Sequence, residues 1–238
     1  MSLSKTLQWA ASAALGAALC LPVAGQAAVL GRVDFEAAPP LTVVGPGQAD
    51  ASYSEAGFRF TPSGGDALVD LSFCSAPDFC AVGNATQYLT ALNDASVTIE
   101  AESGSSFSLG SFEASFVPSP SLDYSGLSIL LTLSGALSGG GTASQTFALL
   151  GTGAGDYLFS GYSVDESLRN TTALTLSVCL IDPTLGSACL SDPTYINDAQ
   201  FALDNLTFVP EPSALWLVGL ALAGLGLNRQ TSRRTARR

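Results

Sequence analysis

Between residues 57 and 209 the apolar positions recur in short runs, either alternating with polar residues or enriched in β-branched and aromatic side chains. No sustained 3.6-residue period appears there. The runs are Gly57–Thr61, Ala67–Phe73, Ser96–Ala101, Phe107–Phe116, Leu127–Leu137, Ser144–Leu150, Leu158–Val164, Thr171–Ile181 and Gln200–Val209, punctuated by Gly, Ser, Pro and Asp. Phe107, Leu109, Phe112 and Phe116 alternate with Ser and Glu, as a strand or two over a core would. Ile129, Leu130 and Leu131 are consecutive and apolar on both faces, which places their strand centrally. This spacing predicts an all-β chain folded as a single antiparallel β-sandwich, most simply a jelly roll. Gly139-Gly140-Gly141 is a turn: no Lys or helix follows it to build a phosphate cradle.

The two ends have a different pattern. Lys5, the apolar stretch Leu7 to Leu21, Pro22 and the small residues Gly25 and Ala27 have the layout of a secretory signal, so residues 1–27 are expected to be removed. At the other end Val209-Pro210-Glu211-Pro212-Ser213 precedes an uncharged stretch, Ala214 to Leu227, and then Arg229, Arg233, Arg234, Arg237 and Arg238. The two prolines hold that segment extended. As a helix, 14 residues reach about 21 Å, short of the ~30 Å hydrocarbon core, which suits a temporary stop better than a durable span. The arginines should stay cytoplasmic, leaving Pro210-Glu211-Pro212 at the outer face of the inner membrane. The expected division is therefore a signal peptide at 1–27, a β-sandwich at 28–208 and a sorting tail at 209–238.

Charge sharpens this picture. The chain has 238 residues, a formal net charge of -11 and no histidine. Residues 28–209 hold 3 positive and 19 negative side chains, a balance of -16. Binding to nucleic acid through phosphate neutralisation is excluded, as are His-based triads and imidazole chemistry. The mature chain has no Lys and no GxSxG elbow to activate a serine.

The C-terminal order of motif, short span and basic end resembles the PEP-CTERM sorting signal of Gram-negative bacteria, with Pro210, Glu211 and Pro212 as the motif. The resemblance covers about 30 residues of tail. It implies recognition and cleavage by an exosortase after export and signal-peptidase cleavage, with transient anchoring in the inner membrane through 214–227. It further implies a place at the cell surface or outside the cell, among extracellular polysaccharide.

Four cysteines remain after leader removal, and an oxidising compartment makes disulfides the default. Of the three possible pairings, Cys74 with Cys80 and Cys179 with Cys189 is the most economical, since each closes a short loop. Metal ligation is the rival, without a CxxC or a histidine to support it.

In the last run, Phe201 and Leu203 are out of phase with Leu206 and Phe208, and a bulge at Asp204-Asn205 would reconcile them. This pair near the domain's end, with Val33-Asp34-Phe35-Glu36 near its start, resembles the terminal strands of secreted jelly rolls of the carbohydrate-binding-module and galactose-binding-like kind. In such folds the first and last strands are neighbours. The resemblance implies that Asp34, Glu36 and Asp204 could share a structural calcium ion. The alternative is a bulge whose side chains satisfy their own backbone. The triplets at Asn84, Asn170 and Asn205 match a glycosylation signal but discriminate nothing.

Three functions fit. The first is a noncatalytic structural or adhesive protein of an exopolysaccharide or biofilm matrix. The second is a lectin-like module for neutral sugar, with Tyr53, Tyr88, Tyr124, Tyr157, Tyr162 and Tyr195 as candidate stacking rings. The third, ranked last, is a glycoside hydrolase working with two carboxylates, which needs no histidine.

Overall fold

The computed structural model describes residues 31–39, 41–70, 81, 83–118, 123–149, 157–186, 188–190 and 199–209. The leader, Cys74 with Cys80, Tyr195 and the tail from Pro210 onward lie outside these residues, and so do the expectations attached to them.

The described residues form two antiparallel sheets packed face to face. In chain order the strands are β1 (Gly31–Val33), β2 (Thr42–Val44), β3 (Tyr53–Glu55), β4 (Phe58–Ser63), β5 (Ala67–Val69), β6 (Leu89–Ala91) and β7 (Ser96–Ala101). They continue as β8 (Ser108–Phe116), β9 (Ser128–Leu137), β10 (Thr142–Ala148), β11 (Ser160–Ser163), β12 (Thr171–Ile181) and β13 (Phe201–Val209). One sheet runs β11-β8-β13-β6-β5-β2, with β1 also paired to β13; the other runs β10-β9-β12-β7-β4-β3. The chain passes repeatedly between the sheets, as in a jelly roll. The expected all-β sandwich is the observed fold.

The core lies between the sheets and is built by alternation. Val97 and Ile99 on β7, Leu131 and Leu133 on β9, and Leu174 and Leu176 on β12 are all buried, and the residues between them face outward. Opposite them, Phe112, Ala114 and Phe116 of β8 and Phe201, Leu203, Leu206 and Phe208 of β13 complete the same cluster. Phe58 of one sheet stacks on Phe208 of the other with centroids 3.6 Å apart, and Phe107 meets both rings edge-on. Burying each such ring removes enough apolar surface to favour the fold by about 1.5–3 kcal/mol.

The phase break in the last strand has the form expected. Between Asp204 and Thr207 the register against β8 shifts, and Asn205 has a φ of 53°. The extra residue brings Leu206 and Phe208 onto the same inner face as Phe201 and Leu203. A second shift follows between Thr207 and Phe208, where Gly110 of β8 absorbs the opposite step. That bulge also brings Leu109 inward alongside Phe112, three positions later. Two bulges on neighbouring strands thus compensate, and the pairing sum of β13 with β8 is the same at both ends.

Candidate functional site

Val33 of β1 pairs with Leu206 of β13, so the first described strand and the last are neighbours, as the terminal-strand resemblance implied. Leu203 pairs with Leu89 of β6 on that same side of β13. The bulge at Asp204-Asn205 therefore falls where β6 ends and β1 takes over. Ala202, two residues earlier on the outer face, packs in a small second cluster with Ala81, Tyr88 and Val117, and Phe159 lies against it.

Asp204 is fully buried within this covering layer. Asn84 Nδ2 donates to its Oδ2 at 2.6 Å, Thr86 Oγ1 donates to the same oxygen at 3.1 Å, and the backbone N–H of Asn205 donates to Oδ1 at 2.6 Å. The backbone N–H of Thr86 donates to Asn84 Oδ1 at 2.8 Å, an Asx turn that fixes which end of the amide faces Asp204. Asn205 in turn donates from Nδ2 to Glu113 Oε2 at 2.7 Å and accepts from the Arg32 guanidinium. Burial pushes the Asp204 carboxyl up to about 6, against the pull of its three donors and with a smaller push from Glu113.

Asp34 and Glu36 are held differently. Asp34 accepts the Glu36 N–H at 3.4 Å, and its own N–H donates to Glu55 Oε1 at 3.3 Å. Glu55 Oε2 also accepts the Tyr53 hydroxyl at 2.5 Å, and burial together with this carboxylate raises the Tyr53 phenol above its ordinary value. Glu36 Oε1 accepts the Gln87 N–H at 2.8 Å. Among the described residues no group of three or more His, Cys, Asp or Glu side chains is placed to hold a metal ion. A calcium ion seeks converging oxygen lone pairs, whereas Asp204 faces N–H and O–H donors. The donor set does not fit the ion.

The stacking rings are also placed otherwise than expected. Tyr53, Tyr88, Tyr124 and Tyr157 are buried, and Phe116 meets Tyr124 and Tyr157 edge-on. Tyr162 is half-buried, stacks on Phe112 and donates its hydroxyl to Ala148 O at 3.2 Å. The five described tyrosines are packing residues of the sandwich: Tyr53, Tyr124, Tyr157 and Tyr162 lie against the phenylalanine core, and Tyr88 meets Phe159 in the outer cluster. Nor do carboxylates pair across a cleft where described. Asp204 and Glu113 sit opposite each other on β13 and β8, but Asp204 is sealed from solvent. An open depression lined by Pro46, Gly64, Gly65, Asp66 and Asn93 holds one carboxylate, and Asp66 accepts Gln48 Nε2 there at 2.8 Å.

Cys179 and Cys189 are joined by a disulfide, with Cα atoms 5.3 Å apart. It ties the loop after β12 back to that strand.

Sequence reasoning missed Asn84 and Thr86. Their signal was the Asn84-Ala85-Thr86 triplet, which has the residues of an Asx turn as well as of a glycosylation site.

Residues 208–230 match the PEP-CTERM protein-sorting motif. The match begins inside β13 and contains Pro210, Glu211 and Pro212. It indicates an exported chain that an exosortase processes at the membrane. No curated protein matches the chain in sequence. Among solved structures, the C-terminal family 22 carbohydrate binding module of Clostridium thermocellum Xyn10B is similar at 11% identity and a TM-score of 0.34, covering 79% of this chain and 98% of that one. The CBM22-1 xylan-binding domain of Paenibacillus barcinonensis Xyn10C is similar at 14% identity and a TM-score of 0.34, over 76% and 93% of the two chains. TmCBM61, solved with β-1,4-galactotriose, gives 12%, 0.31, 65% and 88%. Nothing about a ligand follows from likenesses at this level.

Proposed function

We propose that the sandwich works outside the cell, as a noncatalytic structural or adhesive component of an exopolysaccharide matrix, after removal of both ends. The observation that supports this most is the junction of fold and signal. The sorting motif starts at residue 208, and β13, the strand it leaves, is already pinned between β8 on one side and β6 and β1 on the other. Cleavage in or beyond Pro210-Glu211-Pro212 leaves every described strand whole. Phe208, the last core residue among those described, stays with the sandwich.

The acidic body supports the same reading. A balance of -16 with so few cations favours solubility and discourages direct contact with anionic polymers. The test is the intact mass and terminal peptides of the extracellular protein, in cells with and without an active exosortase. The reading expects an N-terminus near Ala28, a C-terminus close to Pro210-Glu211-Pro212, and accumulation of the uncut chain in membranes when the exosortase is missing. Recovery of peptides from Arg233 to Arg238 in the extracellular fraction overturns it.

A further inference from the structure

Five adjacent strands of the second sheet each carry two hydroxyl side chains separated by one inward residue. They are Thr61 and Ser63 on β4, Ser96 and Thr98 on β7, and Thr132 and Ser134 on β9. β10 supplies Ser144 and Thr146, and β12 supplies Thr175 and Ser177. The strand registers align these pairs. Ser144 faces Ser134, Ser134 faces Thr175, Thr175 faces Thr98, and Thr98 faces Thr61. Two residues along, Thr146 faces Thr132 and Thr132 faces Ser177, while Ser63 faces Ser96. The result is two parallel rows of five hydroxyls on the outer face, all exposed or half-buried. At about 4.8 Å between strands each row is roughly 19 Å long, and the rows lie about 7 Å apart.

We infer that this hydroxyl lattice is a docking face for an uncharged polysaccharide chain. The inference rests on the extracellular reading above and names the partner. Charge selects the occupant. The second sheet's strands carry Glu55, Arg59 and Glu100 as their only ionised side chains, Arg59 and Glu100 are paired in register beside the lattice, and none lies within it. An anionic polymer would meet the field of a strongly acidic domain, and the one cation on the face among the described residues, Arg59, stands at the lattice's edge opposite Glu100, which offsets it. A protein partner would want aromatic, Met or Arg anchors, and beside the lattice stands one, Arg59, opposite Glu100 at its edge. A membrane would want projecting apolar side chains.

An uncharged sugar polymer wants what is there. Each Ser or Thr hydroxyl both donates and accepts, as sugar hydroxyls do. The side chains are short, and Thr is stiff at its first torsion, so little rotamer entropy is lost on docking. Cross-strand contacts already orient several of them: Thr98 with Thr175 at 3.0 Å, Thr132 with Thr146 at 3.3 Å and Ser63 with Ser96 at 2.9 Å. Single contacts of this kind are weak, so attachment depends on many along one polymer and on many protein copies along one chain.

The test uses the full-length chain in mild detergent, with amorphous cellulose and crosslinked dextran as uncharged probes and alginate beads as the anionic one. Wild-type protein should be retained by at least one uncharged probe and pass through alginate. Thr98→Val with Thr175→Val, which keeps shape and removes two central hydroxyls, should cut retention at least fivefold, and Ser134→Asp should do the same by planting a charge. Thr184→Val, on the loop beyond β12, should bind like wild type. Retention by neither uncharged probe overturns the inference, as does unchanged retention of the double variant and of Ser134→Asp. Sedimentation showing a dimer that Ser134→Asp dissociates also overturns it, since a second copy would then cover the face. Processing of the ends is scored separately by mass, so failure of the lattice and failure of the extracellular reading are distinguishable.

Discussion

Asn84 and Asp204 lie 120 residues apart in sequence and 2.6 Å apart in the fold, the amide of one donating to the carboxylate of the other beneath the outer layer of the first sheet. This contact fastens the segment around residues 83–88 to the last strand, at the place where two short strands meet beside it. Together with Thr86 and the Asn205 N–H it surrounds one buried charge with three donors.

The three donors do not fully offset burial, which gives the first prediction. The Asp204 carboxyl is raised from 3.8 to about 6 in the folded chain. The folded state therefore takes up a proton more readily than the unfolded state. The stability this group contributes is fully present below about pH 3.8 and is lost as pH rises through about 6. The difference between those limits is up to about 3 kcal/mol, at about 1.4 kcal/mol per pKa unit. Urea unfolding between pH 4 and 7 checks this. Wild type should gain stability relative to Asp204→Asn as pH falls through 6, and parallel curves for the two proteins would contradict it.

Asn205 supplies the second prediction. Its φ of 53° is tolerated by Asn and Gly and strained in β-branched residues. Its amide also joins Glu113 to Arg32. Asn205→Gly keeps the backbone and loses the amide, and should cost about 1 kcal/mol. Asn205→Val loses both and should cost about 2–4 kcal/mol. Denaturation midpoints should rank wild type, Gly, then Val.

The bulge itself was legible because a strand's inner face has a strict period of two. Leu203 and Leu206 cannot share a face without an extra residue, nor can Leu109 and Phe112. The longer strands were legible for the same reason: β7 and β12 have the predicted bounds. What escaped were β2, β3 and β6, each three residues long, because three positions hold no period; β1, equally short, was reached only through the terminal-strand resemblance at Val33. The hydroxyl lattice escaped differently. A Ser or Thr on alternate positions is ordinary for any solvated strand, and only the register of five strands turns separate pairs into rows. The tyrosines misled because a ring with a hydroxyl fits a core edge as well as a sugar platform. Burial, which decides between them, depends on contacts distant in sequence.

The disulfide between Cys179 and Cys189 is the third prediction. It closes a short loop, and on the chain-entropy account its loss should cost about 2–3 kcal/mol. Urea unfolding of Cys179→Ser with Cys189→Ser measures that cost. Non-reduced peptide mapping should recover Cys179 and Cys189 in one linked peptide, and by the same economy of short loops a second linked pair from Cys74 and Cys80. A crossed pairing would show that the second pair is not a local staple.

The last prediction concerns calcium, which the likeness of the terminal strands to those of secreted jelly rolls brings into question. Asp34 and Glu36 spend oxygens on the backbone N–H groups of Glu36 and Gln87, and Asp204 spends both of its own on Asn84, Thr86 and Asn205. Binding a cation there would strip three donors from a buried carboxylate and leave the donors themselves unpaired, at about 1–3 kcal/mol for each buried group. A site worth having would overcome this visibly. At a hundredfold excess over its dissociation constant, an ion that binds only the folded state adds about 2.7 kcal/mol, which in a domain of this size raises the melting temperature by roughly 5–10 °C. We expect calcium and chelator to give the same melting temperature at pH 7. If calcium does raise it, Asp204→Ala discriminates: loss of the shift would assign the ion to the bulge, whereas a shift that survives would place it on other carboxylates of this acidic chain.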